Sequence, residues 1–188
     1  MRVVGGSCKG RNLASFKGVS IRPTSDKVRE AVFNILPRDF PFERVLDLFA
    51  GTGALGIEAL SRGASHAVFN ECDGAALSVI KKNLEACGLL DKSRVCRRQA
   101  AAALGEFGRA GERFDLIFID PPYGKGLVEE ALRSIDRLGL LAPEGMIVAE
   151  TSRQAPLTEV FKTIEVIDER KYGDTLVYFL ELKEGSDG

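Results

Sequence analysis

The chain of 188 residues is long enough to bury its own core, and its 45% hydrophobic and 28% charged residues are typical of globular proteins. Because it has no run of ~20 apolar residues and no signal-like amino terminus, a membrane span and export are not expected. The net charge of −1 hides an asymmetry, since residues 1–38 carry +6 and the remaining 150 carry −7. The basic segment favours a phosphate-bearing partner, and we expect a cytoplasmic protein whose four cysteines are free thiols.

The amino-terminal segment is predicted to form a β-hairpin over residues 1–22, where short apolar stretches flank a Ser/Lys/Gly turn. Thr24 or Ser25 can cap the helix that follows, and apolar residues recur every three or four positions from 28 to 36. Pro37 is expected to end this helix. We expect one domain over residues 1–188, made of an arm (1–24) and a core (25–188).

From residue 44 onward, predicted strands alternate with predicted helices. The strands cover 44–50, 66–71, 94–98, 114–120 and 145–151, and the helices cover 54–63, 73–88, 100–108 and 126–138. This alternation predicts an α/β fold with a parallel sheet covered by helices on both faces. Two final strands, 162–171 and 175–182, are separated by only three residues, which predicts an antiparallel hairpin at the sheet edge.

The loop after the first strand reads DLFAGTGALGIEAL, with glycines at 51, 53 and 56. G-x-G-x-x-G between a strand and a helix is typical of nucleotide-cofactor loops, because glycine permits sharp turns and close ligand approach. Glu71 ends the second strand and can hold a ribose through its two hydroxyls. Asp47, just before the loop, would repel a pyrophosphate but attract an ammonium. A ligand with both a ribose and an ammonium is S-adenosylmethionine.

Motifs along the chain resemble those of known methyltransferases. DLFAGTG, an acid ending the second strand and DPPY ending the fourth are similar to the class I S-adenosylmethionine-dependent methyltransferases. VVGGSCKGRNL, RPTSDKVREAVFNIL and KYGDT resemble the RsmD family more narrowly, over nearly the whole chain. The resemblance implies a Rossmann-like sheet and methylation of the N2 amine of a guanine in 16S rRNA within the 30S subunit. We expect a monomer, and no metal, because the sulfonium is already an electrophile.

The resemblance also assigns the cofactor site to the glycine loop and the strand ends beside it. The residues are Asp47, Ala50, Gly51, Thr52, Gly53, Glu71, Gln99 and Ala100. Gln99 stands where the family usually has an Asp that accepts a hydrogen bond from the adenine amine. The side-chain carbonyl of glutamine can still accept this bond.

The resemblance makes the DPPY motif, Asp120, Pro121, Pro122 and Tyr123, the catalytic one. An exocyclic amine is a weak nucleophile, because its lone pair is delocalised into the ring. The Asp120 carboxylate and the rigid Pro121 carbonyl can hold its two N–H groups, and Tyr123 can stack on a flipped base. Phenylalanine is common at the last position in this family, whereas tyrosine is frequent in adenine methyltransferases. Adenine-N6 methylation of RNA or DNA therefore stays open as the alternative.

Basic residues near the amino terminus are expected to hold the RNA backbone. They are Lys9, Arg11, Lys17, Arg22, Lys27 and Arg29, with Arg22 expected closest to the active site. This basic segment argues against a protein-glutamine methyltransferase. Asp47 and the terminal hairpin argue against an NAD-dependent oxidoreductase, which only the glycine loop supports. The intact DPPY motif argues against a non-enzymatic RNA-binding assembly factor.

Overall fold

The computed structural model describes residues 1–15, 23–37, 39–122 and 126–185. A seven-stranded sheet is its central element. The strands are β1 (Arg44–Asp47), β2 (His66–Asn70), β3 (Ser93–Cys96), β4 (Phe114–Ile119), β5 (Leu141–Ser152), β6 (Ile164–Tyr172) and β7 (Thr175–Leu182). The helices are α1 (Pro23–Ile35), α2 (Ala54–Arg62), α3 (Gly74–Cys87), α4 (Ala100–Arg109) and α5 (Leu127–Leu138), with a short 3-10 helix at Leu90–Lys92.

The strand order is β3-β2-β1-β4-β5-β7-β6. Strands β1 to β5 pair in parallel, whereas β7 runs antiparallel to both β5 and β6. This arrangement confirms the predicted parallel sheet with a terminal antiparallel hairpin. The chain order reverses between β1 and β4, and such a reversal opens a crevice at the carboxyl ends of the strands.

Apolar side chains cover both faces of the sheet. On one face α1, α2 and α3 pack against residues such as Val45 and Phe118. On the other face α4 and α5 pack against residues such as Leu46 and Ile117. A strand buried on both faces reads as a continuous apolar run, which is why 114–119 gave the strongest strand signal in the sequence.

The first 15 residues of the amino-terminal arm are less regular than the predicted hairpin. They contain one antiparallel bridge, between Arg2 and Asn12, and residues 16–22 of the prediction lie outside the described residues. The arm is irregular because several of its backbone N–H groups donate to α2 and not to a second strand. Val4 and Gly5 donate their N–H groups to the buried Glu58 carboxylate at 2.8 and 2.7 Å.

Asn83 of α3 holds the other end of the arm. Its Oδ1 accepts the Ala14 N–H at 2.7 Å, and its Nδ2 donates to the Ala14 carbonyl at 3.1 Å and to the Thr52 carbonyl at 2.9 Å. One buried amide therefore ties the arm, α3 and the glycine loop together. The arm packs on the core, and the division of the domain into arm and core stays a prediction.

Helix α1 begins at Pro23, so Thr24 and Ser25 lie inside its first turn and the predicted cap position is wrong. The helix ends at Ile35, before Pro37, as the sequence predicts. Within the described residues, no helix combines the length and apolarity that crossing a bilayer requires.

Gly56 packs closely against β2, so enlarging it should destabilise the fold. A Cβ at this position would lie 2.4 Å from Cε1 of the Phe69 ring. We expect Gly56→Ala to lower the free energy of unfolding by about 1–3 kcal/mol, measured by urea denaturation. Gly105→Ala in α4 is the matched control, because its Cβ would meet only Arg109 at 3.5 Å. The free energy of unfolding of this control should rise by about 0.5–1 kcal/mol. Equal free energies of unfolding in the two variants would contradict the prediction.

Candidate active site

A cleft of about 1130 Å³ opens at the carboxyl ends of β1, β2, β4 and β5, and we call it the carboxyl-edge cleft. Four acidic residues from these strand ends line it: Asp47, Glu71, Asp120 and Glu150. They are far apart in sequence, but parallel strands place their carboxyl ends at one edge of the sheet. Parts of α1, α4 and α5 and the first residue of the arm complete its walls.

The glycine loop uses its glycines for two different purposes. Gly51 and Gly53 have φ angles of 53° and 80°, a left-handed conformation that other residues rarely adopt. They turn the chain from β1 into α2, with the Gly53 N–H donating to the Ala50 carbonyl at 2.6 Å. Gly56 instead allows α2 to approach β2. The motif therefore serves both a tight turn and close helix–sheet packing.

Glu71 follows β2 and fastens the loop to that strand end. Its Oε2 accepts the Gly51 N–H at 2.9 Å, and its Oε1 accepts the N–H groups of Cys72 and Asp73 at 2.8 and 2.9 Å. These three bonds fix the carboxylate inside the carboxyl-edge cleft. Oε2 has a further lone pair, so the carboxylate can also accept from a ligand hydroxyl.

Asp47 is buried at the end of β1, with 2% of its surface exposed. Its Oδ2 accepts the Gly56 N–H at 3.0 Å, which favours the ionised form. Burial acts more strongly in the opposite direction and, helped by the negative charge of Glu71, raises the pKa of Asp47 from 3.8 to about 7. A cation bound beside this carboxylate would restore its charge.

Most of the predicted cofactor residues line the carboxyl-edge cleft. They are Asp47, Ala50, Gly51, Thr52, Glu71, Gln99 and Ala100, whereas Gly53 shapes the turn without lining the space. Gln99 is the N-cap residue of α4 and is exposed, and its side chain makes no capping bond to the helix. Its amide is therefore not committed to holding the helix end.

Three residues of the DPPY motif reach the same cleft. Asp120 is exposed directly after β4, Pro121 is buried, and Pro122 is exposed. Tyr123 lies outside the described residues. The structure thus brings together the glycine loop and the described part of the predicted catalytic motif.

The predicted RNA-binding residues divide into two kinds. Lys9, Arg11 and Lys27 are exposed. Arg29 is 5% exposed, donates from Nη2 to the Arg2 carbonyl at 2.7 Å and lines the carboxyl-edge cleft. It therefore belongs to the wall of the cleft rather than to the outer basic surface. Lys17 and Arg22 lie outside the described residues.

Sequence reasoning missed several residues of the cleft, notably Glu150 of β5, Thr175 of β7 and Met1 of the arm. The signal for Glu150 was its place near the end of a predicted parallel strand. Thr175 belongs to KYGDT, which carried the family resemblance but had no predicted role. In the part of the chain that the structure describes, no three His, Cys, Asp or Glu side chains cluster to hold a metal ion.

The raised pKa of Asp47 makes stability depend on pH in a predictable direction. Between pH ~4 and ~7 the folded protein keeps a proton that the unfolded chain releases, so the free energy of unfolding falls as pH rises through this window. Asp47→Asn keeps an acceptor for Gly56 but cannot titrate. We expect the free energy of unfolding of this variant, minus that of the wild type, to increase by on the order of 4 kcal/mol between pH ~4 and ~7. Urea denaturation from pH 4 to pH 8 measures this, and parallel profiles would contradict it.

Comparison with known proteins places the chain in a family. The family described as Conserved hypothetical protein 95 matches residues 1–181. YlbH of Bacillus subtilis (strain 168) is 42% identical over 175 residues, covering 93% of this chain and 95% of the relative. The Escherichia coli (strain K12) protein named Ribosomal RNA small subunit methyltransferase D is 38% identical over 160 residues, covering 85% and 79%.

Solved structures agree with this assignment. The yhhF protein of Escherichia coli superposes with a TM-score of 0.86 at 34% identity, covering 97% of this chain and 98% of that one. The glycine loop, the acids at the strand ends and the described part of the DPPY motif also converge in one cleft. The chain therefore belongs to the conserved hypothetical protein 95 family, which is the RsmD family.

Proposed function

We propose that the protein transfers the methyl group of S-adenosylmethionine to the N2 amine of a guanine in 16S rRNA. The observation that carries this proposal is the single cleft that joins the glycine loop and Glu71 to Asp120 and Pro121. The name of the 38%-identical Escherichia coli relative supports the substrate class. We further propose that a cytoplasmic monomer acts on the RNA within the 30S subunit.

The residues of the cleft fit S-adenosylmethionine. Gly51 leaves open space above the loop, since a Cβ there would have only the Phe49 carbonyl oxygen within 4.0 Å. Glu71 would accept hydrogen bonds from the ribose, Gln99 from the adenine amine, and Asp47 would interact with the ammonium, directly or through water. When bound, the cofactor supplies a methyl group that is already activated on a sulfonium.

The chain itself must orient the amine. The Asp120 carboxylate and the Pro121 carbonyl accept its two N–H groups and favour a pyramidal nitrogen whose lone pair points at the methyl group. Proline fixes φ and makes that carbonyl rigid. Alignment of this kind supplies roughly 7–11 kcal/mol in oriented reactions. Asp120 is exposed at the cleft, so a proton that it accepts after transfer can pass to water.

The arm supplies a hold on the RNA backbone. Lys9 and Arg11 are exposed on it, and Lys27 is exposed on α1. Glu58 and Asn83 fix the arm to α2 and α3, so the backbone that carries Lys9 and Arg11 is held relative to the cleft. Such a hold is needed, since a base must leave its surroundings to enter the pocket.

The proposal predicts methyl transfer that depends on Asp120. Labelled S-adenosylmethionine is incubated with unmethylated 30S subunits, naked 16S rRNA, total tRNA or duplex DNA, followed by nucleoside analysis. We expect N2-methylguanosine in the ribosomal acceptors alone. Asp120→Ala should lower the rate by about 10²–10⁴-fold and leave cofactor binding intact, because it removes an acceptor for the amine. Asp91→Ala, an exposed acid of the 3-10 helix, is the matched control and should act like wild type.

Other products of this experiment have definite meanings. N6-methyladenine would replace the proposal by the adenine alternative and keep the site. Transfer to no acceptor, with cofactor binding intact, would reject the RNA substrate. Full activity of Asp120→Ala would reject the assigned catalytic motif.

Cofactor binding should release a proton from Asp47 in mildly acidic solution. The carboxyl is largely protonated below its pKa of about 7, and a bound ammonium favours its ionised form. Calorimetric titration with S-adenosylhomocysteine at pH 6.5, in buffers of different ionisation enthalpy, should report a released proton that vanishes at pH 8.5. Asp47→Asn is the control and should release none. An equal buffer dependence in both proteins would show that the proton comes from elsewhere.

A further inference from the structure

Glu150 lies beside Asp120 because of the register between β4 and β5. Ile119 pairs with Ala149, so the next residue on each strand, Asp120 and Glu150, comes at the same level of the carboxyl edge. Neighbouring strands are about 4.7–4.9 Å apart. The two acids are therefore adjacent although 30 positions separate them in the sequence.

Both acids line the carboxyl-edge cleft. Val148, two residues before Glu150 on β5, belongs to the core under α1, α2 and α3. Side chains two positions apart on a strand share a face, so Glu150 projects to that side. Val177, which pairs with Glu150 from β7, lies in the same core. Glu150 is half-buried and lines the carboxyl-edge cleft.

We propose that Glu150 selects guanine by accepting the hydrogen bond of its N1–H group; this inference rests on the proposed function. In guanine the ring position next to the N2 amine is an N1–H donor. A carboxylate beside the group that holds the amine accepts this second donor. Asp120 and Glu150 together then match two adjacent donors on the Watson–Crick edge of a flipped base.

The same carboxylate excludes adenine. In adenine the ring nitrogen next to the exocyclic amine carries a lone pair, which faces the negative oxygens of Glu150 with no proton between them. A site built to accept a hydrogen bond from its substrate rejects an analogue that presents a lone pair where the donor should be. DPPY alone does not distinguish the two purines, since both present an amine, so Glu150 supplies the distinction.

The test replaces Glu150 by glutamine, which has nearly the same shape and presents both an acceptor and a donor. Acceptors are 16S rRNA transcripts with guanine, adenine or 2-aminopurine at the methylated position, assembled into subunits where the wild-type protein requires them. 2-Aminopurine keeps the N2 amine but has a lone pair at N1. Glu165→Gln, an exposed acid of β6 outside the cleft, is the matched control.

We expect Glu150→Gln to lower kcat/KM for guanine by about 10- to 100-fold and to raise kcat/KM for 2-aminopurine and adenine relative to guanine. Affinity for S-adenosylhomocysteine and the thermal midpoint should stay at wild-type values, which separates base selection from a structural role. The control should keep the wild-type preference.

The outcomes distinguish this inference from the function on which it rests. Wild-type methylation of guanine, with an unchanged purine preference in Glu150→Gln, would overturn the role of Glu150 alone. Equal wild-type activity on guanine and 2-aminopurine would overturn it as well. Absence of methyl transfer by the wild-type protein would overturn the proposed function and this inference together.

Discussion

The carboxyl-edge cleft depends on the parallel pairing of β1 with both β2 and β4. This pairing brings Asp47, Glu71 and Asp120 to one edge of the sheet, although they lie on separate strands. Burying the Asp47 carboxyl is costly, and this cost, to which the negative charge of Glu71 adds, is visible in the raised pKa of Asp47. Backbone N–H groups of the glycine loop and of the turn after β2 offset part of it. The loop conformation and the charges of the site are therefore coupled.

A second set of buried polar groups positions the arm. Glu58 is 1% exposed, yet two backbone N–H groups and the Arg62 guanidinium satisfy it, the last at 2.9 Å. Arg62 also lies 4.9 Å over the Phe33 ring of α1. Burying a charge is tolerable only with such a full set of partners. These contacts connect the arm that carries Lys9 and Arg11 to α1 and α2, so the position of these exposed positive charges is linked to the packing of the core.

Local sequence patterns predicted most of the fold. The features that they missed depend on contacts between residues far apart in the chain. Alternating strands and helices, the glycine loop and the terminal hairpin are encoded by periodicity and by Gly and Pro punctuation, which act over a few residues. The burial of Arg29 depends on a carbonyl 27 positions away, and its charge alone suggested exposure. The register of β4 and β5 sets Glu150 at the level of Asp120, a pairing that no local pattern indicates. The roles of all the predicted site residues stay predictions, and Lys17, Arg22 and Tyr123 lie outside the described residues.

The bond between Ala14 and Asn83 spans 69 positions of the chain, which has a consequence for biosynthesis. The arm is made first, yet its anchor in α3 does not exist until Asn83 has been added. At 5–20 residues per second, this delay is about 3 to 14 seconds. During that interval the nascent chain presents an unanchored basic segment next to the RNA of the ribosome that makes it. We expect electrostatic attraction to that RNA to compete with docking of the arm until its backbone forms hydrogen bonds with Glu58 and Asn83.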